Sequence, residues 1–386
     1  MNVKKLFATI AAASLLVGCG NGGGATSGTE LKDGDTIKIG FIGPLTGGTS
    51  TYGIPVKNTI ELAVEDYNKA SDSKYKVELL AEDSRGNEQE AVNAYKKLKG
   101  EGIVGIVGPV ITAEGVALGE ATKNDLMPIV SSSTSGDSLT LNSDGKTTRA
   151  NYFRTCSNDS MGGREIAAAV GSGKIKNVKK IAILTNSDSD YSQGCTDSFK
   201  KQAEADGLQI VSEQSYPEGA EDFKPYIQKV QSSNADAVFI PDYYEVIGKV
   251  VKQFKDAGFN GTFLGTDGWD GVLSIEGIDK SLFNGAYYTN VFDDRVEGVV
   301  NYVKAYKAKY NNEDTNMFGT MAYDATFVLL KAIEKAGHTS PEKINKALEE
   351  TDYKGITGEF HFDEQHNPTK ALVVKTIQNG EYTYLD

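Results

Sequence analysis

Short apolar runs alternate with stretches of helical periodicity along most of the chain. Residues 37–43 (IKIGFIG) alternate and open into Pro44-Leu45-Thr46-Gly47-Gly48, a strand feeding a loop. The spacing predicts a helix over 53–69, with Ile60, Leu62, Ala63 and Tyr67 inward, then a strand over 76–81 and a helix over 88–98. Residues 102–135 condense the pattern. An apolar run at 103–107 stops at Gly108-Pro109, and helical spacing follows over 112–124. A second run, 127–130, then ends in Ser131-Ser132-Ser133-Thr134. This βαβαβαβ order predicts a parallel sheet with right-handed crossovers.

A polar segment, 135–151, precedes a second series of the same kind. Strands are expected at 152–154, 180–185, 208–211, 237–240 and 262–264, and helices at 162–170, 190–206, 223–231 and 246–257. Helices return at 296–310, 319–336 and 341–350. Strands at 358–362, 372–378 and 382–385 close the chain, with Asn379-Gly380 as a hairpin turn. Two doubly wound α/β units of domain size follow from this. In such sheets the carboxyl ends of strands and the amino ends of helices share a crevice, where ligands sit. Thr112, followed by Ala113 and Glu114, offers a hydroxyl and free backbone N–H groups to a carboxylate. Ser132 and Thr134 offer carbonyl and hydroxyl partners from the neighbouring strand end. Taken alone, these residues also read as a plain helix cap and a turn.

The 386 residues, 39% hydrophobic and 24% charged, suffice for two such units. A formal net charge of −13 argues against a nucleic-acid partner, which needs concentrated Lys and Arg. At the amino end, Lys4-Lys5 precedes an apolar run, 6–18, too short for a permanent membrane span. The run closes with Leu16-Val17-Gly18-Cys19, which resembles the lipobox of bacterial lipoproteins. That resemblance implies a signal peptide over 1–18, a diacylglycerol on the sulfur of Cys19, and a flexible tether over 19–35. Exported proteins tolerate disulfides, so the two remaining thiols, Cys156 and Cys195, are expected to pair.

The motifs IKIGFIGPLTGGTSTYG, VGPVITAEG, PIVSSSTS, YFRT, DSDYSQG, DAVFIPDYYEVIG, FLGTDGW and AYDA stand in an order and spacing that resembles the type I periplasmic binding proteins, in their leucine/isoleucine/valine-binding branch. The resemblance implies two Rossmann-like lobes joined by three crossover segments, with lobe 1 over 36–154 and 291–365 and lobe 2 over 155–290 and 366–386. It implies an amino acid enclosed between the lobes and delivered to the permease of an ABC importer by a monomeric, cofactor-free protein tied to the membrane through Cys19. By position, Tyr52 closes over the ligand, Thr112 and Thr134 bind its α-carboxylate, and the Ser132 carbonyl and the Asp267 carboxylate receive its ammonium. Tyr191 and Tyr243 are lobe 2 aromatics facing the ligand, and Phe318 is an apolar wall. Ile111, Asp242 and Trp269 fall close to the pocket. Asp267 is one methylene shorter than the family's usual glutamate, and Ile111, the triple serine, Asp242 and Trp269 also depart from leucine binders. These departures leave the side chain of the ligand open.

An enzyme fits less well. The three histidines, His338, His361 and His366, accompany no nucleophile motif and no metal-ligand spacing. Gly171-Ser172-Gly173-Lys174 resembles a phosphate loop, but Ala168 stands where its first glycine belongs and Ile175 replaces the required Ser or Thr. The remaining alternative is a sensory protein binding an amino acid, amide or small carboxylate without transport.

Overall fold

The computed structural model describes residues 28–385. The signal segment, Cys19 and the first part of the tether lie outside them. The described end of the tether is not free. Thr29 and Thr339 exchange hydrogen bonds, Glu30 bridges His338 in antiparallel fashion, and the Leu31 N–H donates to the Gly337 carbonyl. The expectation of a flexible tether over 19–35 is therefore corrected for this part, because backbone pairing fastens it.

The first sheet contains β1 (Thr36–Gly43), β2 (Lys76–Asp83), β3 (Ile106–Val107), β4 (Ile129–Ser131) and β5 (Tyr152–Arg154), all parallel, in the order β2-β1-β3-β4-β5. Between the strands run α1 (Ser50–Lys69), α2 (Glu88–Gly100) and α3 (Thr112–Thr122). Helices cover both faces, so apolar residues occupy successive strand positions. Ile37, Ile39 and Phe41 of β1 pack into one core, while Ile42 joins Ala91, Leu98 and Leu118 of α2 and α3 in another.

The chain then builds α4 (Asp159–Gly171), β6 (Lys180–Asn186), α5 (Asp190–Ala205), β7 (Gln209–Tyr216), α6 (Lys224–Ser232), β8 (Ala237–Phe239), α7 (Tyr244–Asp256), β9 (Thr262–Gly265) and β10 (Tyr287–Asn290). Their strands order as β7-β6-β8-β9-β10, repeating the winding of the first sheet. Next come α8 (Glu297–Lys309), α9 (Met317–Ala336), α10 (Pro341–Glu349) and the hairpin of β11 (Asp352–Gly355) and β12 (Gly358–His361). Helix α9 packs on α1 and against β3 and β4 of the first unit. Finally β13 (Val373–Gln378) extends the second sheet antiparallel to β10, and β14 (Glu381–Tyr384) pairs antiparallel with β13 at its edge. Asn379 and Gly380 turn that hairpin with φ of 54° and 73°, as two-residue turns of this kind require.

The chain passes between the units after β5, after β10 and after β12, the three crossovers of the expected fold. The third crossing bonds to the first: the Arg154 N–H donates to the His366 carbonyl at 3.3 Å, and the His366 ring stacks on Phe153 at 3.9 Å. Beside it, the buried carboxylate of Asp324 on α9 accepts from the Ile356 and Thr357 N–H groups at 2.9 Å each, and from the Thr357 hydroxyl. Lys370 Nζ, in the third crossing, donates to Thr357 Oγ1 at 2.7 Å. Asp324→Ala leaves these donors without an acceptor, so urea unfolding is expected to show a loss of about 3 kcal/mol, and Asp324→Asn a smaller one.

Candidate functional site

Both sheets share the 2-1-3-4-5 winding, whose direction reverses beside the first strand. Loops at this reversal diverge and leave a crevice. The two crevices face each other, and α3 packs against α5 across them.

Three loops of the first unit build its half. After β1, Asp83 accepts from the Leu45 N–H at 2.8 Å and the Thr46 hydroxyl at 2.6 Å, which fixes the entry to α1. Helix α1 starts at Ser50, three residues before the expected 53, so Tyr52 lies in its first turn. Gly53 is required behind it, since a Cβ there would stand 1.8 Å from the Pro44 carbonyl oxygen. After β3, the buried Glu114 side chain accepts from the Val110 and Ile111 N–H groups at 3.3 and 3.4 Å and from the Ser84 hydroxyl. It thereby turns the loop so that α3 opens at Thr112; burial holds its carboxyl up to about 7. After β4, Ser131 Oγ accepts from the N–H groups of Ser133 and Thr134, and Ser133 Oγ donates to the Val110 carbonyl at 2.7 Å.

The second unit contributes Tyr191 from the first turn of α5, Tyr243 just ahead of α7, and Asp267 from a 3₁₀ turn after β9. Tyr191 and Tyr243 stack at 5.0 Å. The Tyr191 hydroxyl donates to Asp267 Oδ1 at 2.8 Å and accepts from the Gly268 N–H at 2.9 Å. Among the described residues, no Lys or Arg forms a salt bridge with Asp267, and its burial pushes the carboxyl up to about 6.

Tyr52, Ile111, Thr112, Tyr191, Tyr243, Asp267 and Phe318 meet around one small space between the units, with a volume of about 10 Å³, room for a single water. Thr112 Oγ1 accepts from the Gly136 N–H at 3.3 Å, leaving its proton to donate. Asp270, three residues after Asp267, accepts from the Met317 N–H at 2.6 Å and so ties the second unit to the start of α9, where Phe318 stands.

Four expected residues do not line this space. Thr134 turns its hydroxyl to that of Tyr152 at 2.8 Å and its carbonyl to Arg154 at 3.1 Å, because the turn started by Ser131 carries it behind the wall. Ser132 is fully buried with its hydroxyl unpartnered. Asp242 accepts from the Tyr216 hydroxyl and stands at the wider outer opening of the cleft, near Glu218 and Glu245. Trp269 belongs to the core: its ring packs near Phe263 and Phe283, and its N–H donates to the Ile240 carbonyl at 2.8 Å. Ser133, Ser135, Val110 and Gly268 line the space instead. Behind Ser135, Asp159 is buried with one carboxylate oxygen unpartnered and its carboxyl raised by burial. In the sequence it reads as an ordinary acidic residue in the first turn of a helix, so no signal pointed to it.

The expected disulfide is also corrected. Cys156 and Cys195 are free and buried, because each sulfur is turned to a different partner, Cys156 to the Thr134 carbonyl and Cys195 to the Thr266 hydroxyl.

This architecture defines a class: two-lobed proteins that enclose a small solute at the facing ends of two parallel sheets. Residues 36–381 match the periplasmic binding protein family. The chain is 31% identical to a Leu/Ile/Val-binding protein homolog of Brucella melitensis biotype 1, over 81% of this chain and 83% of that protein. It is 28% identical to a leucine-, isoleucine-, valine-, threonine- and alanine-binding protein of Pseudomonas aeruginosa, over 86% and 87%. Among solved structures, the branched-chain amino acid transporter substrate-binding protein LivJ of Streptococcus pneumoniae, in complex with isoleucine, superposes with a TM-score of 0.82 at 28% identity, over 90% of this chain and 98% of that one. The leucine-binding protein LivK of Thermotoga maritima gives 0.81 at 28% identity, over 90% and 97%. The chain belongs to the periplasmic binding protein family, within the branch of ABC-transporter substrate-binding proteins related to these. No helix among the described residues is long and apolar enough to cross a membrane.

A carboxyl raised in the folded state contributes stability below its ordinary value of 3.8 and loses that contribution as the pH rises through about 6. Asp267→Asn removes this penalty. The empty variant is expected to be about 3 kcal/mol more stable than wild type at pH 8, with the difference vanishing near pH 4 in urea titrations. Alkylation followed by peptide mass mapping is expected to label both Cys156 and Cys195 without reductant, but only after unfolding, since burial pushes the Cys156 thiol up to about 12.

Proposed function

We propose that this protein is an extracytoplasmic, lipid-anchored substrate-binding protein that captures a free α-amino acid between its lobes and delivers it to the permease of an ABC importer. The observation that carries the reading is a buried carboxyl with no salt-bridge partner among the described residues, facing the start of α3 across a small space. A zwitterion supplies what each end lacks. Its ammonium neutralises Asp267, and its carboxylate takes the N–H groups and hydroxyl at the start of α3, where the helix dipole favours negative charge. Tyr191 orients Asp267 through its hydrogen bond, and the tyrosine faces exclude water, which strengthens the ion pair. Ser133 and Ser135 complete the site from the loop after β4, and the two lobes, 36–154 with 291–365 and 155–290 with 366–386, open and close about the three crossings. Cys19 carries the lipid. The relatives' names support delivery to a transporter.

Three measurements test the reading. Calorimetric titration with the best ligand from a screen of amino acids is expected to show Asp267→Asn weakening binding at least about a hundredfold, or about 2.7 kcal/mol. Binding within threefold of wild type removes Asp267 from the site. In the wild type, affinity is expected to rise about tenfold between pH 5 and 7, as the Asp267 carboxyl loses its proton around 6, and to be flat in the Asn variant. Labelling of cells with a fatty-acid analogue is expected to mark the wild type and leave Cys19→Ala unmarked.

A further inference from the structure

Helices α2, α4, α5 and α9 open with Asn87, Asn158, Ser189 and Asn316, whose side chains accept first-turn N–H groups. Helix α3 opens differently. Its cap is Ile111, whose side chain has no acceptor to offer. The intrahelical bonds of α3 begin with the Gly115 N–H, which donates to the Ile111 carbonyl at 3.1 Å, so the N–H groups of Thr112, Ala113 and Glu114 precede the ladder. From the second unit, the Tyr243 hydroxyl reaches the Thr112 N–H, which marks where this helix start faces the cleft.

Glu114 stands three residues after the cap, a position from which a carboxylate reaches back along the chain. It is fully buried, and one of its oxygens accepts from the N–H groups ahead of the helix, those of Val110 and Ile111, at 3.3 and 3.4 Å. The other accepts from the hydroxyl of Ser84, whose own N–H donates to the Gly43 carbonyl at 3.0 Å, so the carboxyl is anchored to the end of β1. On the opposite edge, Ser133 Oγ donates to the Val110 carbonyl at 2.7 Å. Val110 is thus held at its N–H by Glu114 and at its carbonyl by Ser133, and Val110 and Ser133 both line the cleft. Without Glu114 the buried Val110 N–H loses its acceptor, a cost that drives the loop to turn another way.

We infer that Glu114 is a positioning residue for the carboxylate end of the ligand: by pairing with the N–H groups of Val110 and Ile111 it sets the direction of α3 and leaves the N–H groups of Thr112 and Ala113 turned to the solute. The inference rests on the reading that the start of α3 receives the α-carboxylate of an amino acid. Glu114 acts through the loop from behind the wall, so it separates solutes that carry a carboxylate from solutes that lack one, and is indifferent to the ammonium end at Asp267. Its task is that of an acceptor in a fixed place. Glutamine, with a carbonyl oxygen for the two N–H groups and an amide N–H for Ser84, serves that task without the charge.

Calorimetric titration of the full chain with the common amino acids and their α-amides tests this, directly or, for a weak amide, by displacement. An α-amide keeps the ammonium and the side chain and replaces the carboxylate by a neutral group. Wild type is expected to bind its best amino acid at least about tenfold more tightly than the corresponding amide, the scale of hydrogen bonds to a charged group. Glu114→Ala is expected to lose most of that preference, weakening the amino acid about tenfold and leaving the amide within about threefold of wild type, and Glu114→Gln to recover it. Each variant is first checked for a cooperative thermal transition. If Glu114→Ala lacks one, Ser84→Ala, which removes the other anchor of the carboxyl, is expected to lower the preference in the same direction. A preference that stays within about threefold of wild type in the folded variant, or a Gln variant as impaired as the Ala one, overturns the positioning role and leaves the amino acid reading standing. A wild type that binds an amino acid and its amide alike overturns the carboxylate end of that reading together with this inference, and a wild type that binds no amino acid overturns the whole.

Discussion

The carboxylate of Asp267 is shut away from water and has no salt-bridge partner among the described residues, and the neighbouring architecture follows from that. A buried charge of this kind is stable only when a counter-ion and hydrogen bonds arrive together. Tyr191 provides one of the bonds, the closed aromatic walls keep the local dielectric low, and the missing cation is left to a ligand. In the empty protein the carboxyl is held protonated to an unusually high pH, so the site stores a cost that a bound ammonium relieves. Asp159, buried behind Ser135 with an oxygen unpartnered, is a second acid whose carboxyl burial raises beside the cleft.

The donor half of the cleft depends on another buried carboxylate with a different task. Glu114 collects the N–H groups of Val110 and Ile111, so that the loop after β3 turns sharply and α3 opens with its own N–H groups towards the cleft. Asp270 does comparable work across the lobes by holding the first residue of α9. Two of the elements that build the site, α3 and α9, are thus fixed at their first residues by a buried acid that accepts from backbone N–H groups. Rigid loop ends on two rigid sheets leave the crossings as the place where motion concentrates.

Much of this was legible in the chain. Strands covered on both faces read as unbroken apolar runs, which is why β1, β6, β8 and β9 stand within two residues of the expected bounds. The edge strand β7 extends to Tyr216, well past the expected 211, because its alternating polar residues face solvent and hide the pattern. Strand β10, Tyr-Tyr-Thr-Asn, was absent from the expectation altogether; it is defined by pairing with β9 and β13, which no local pattern reveals. The thiols of Cys156 and Cys195 look like natural partners by compartment, yet their sulfurs face different neighbours.

The sequence by itself determined the order of the elements, the parallel winding, and which strand ends carry the site, since periodicity and turn residues act over a few neighbours. Only the tertiary structure decided which side chain in each loop faces the ligand. A 3₁₀ turn sends Asp267 into the cleft and Trp269, two residues on, into the core, and the Ser131 turn puts Ser133 and Ser135 on the wall and Thr134 behind it. The hydrogen bond from the Tyr52 hydroxyl to the Gly268 carbonyl joins residues 216 apart in the chain, and a bond over that separation exists only once two independently wound sheets have met.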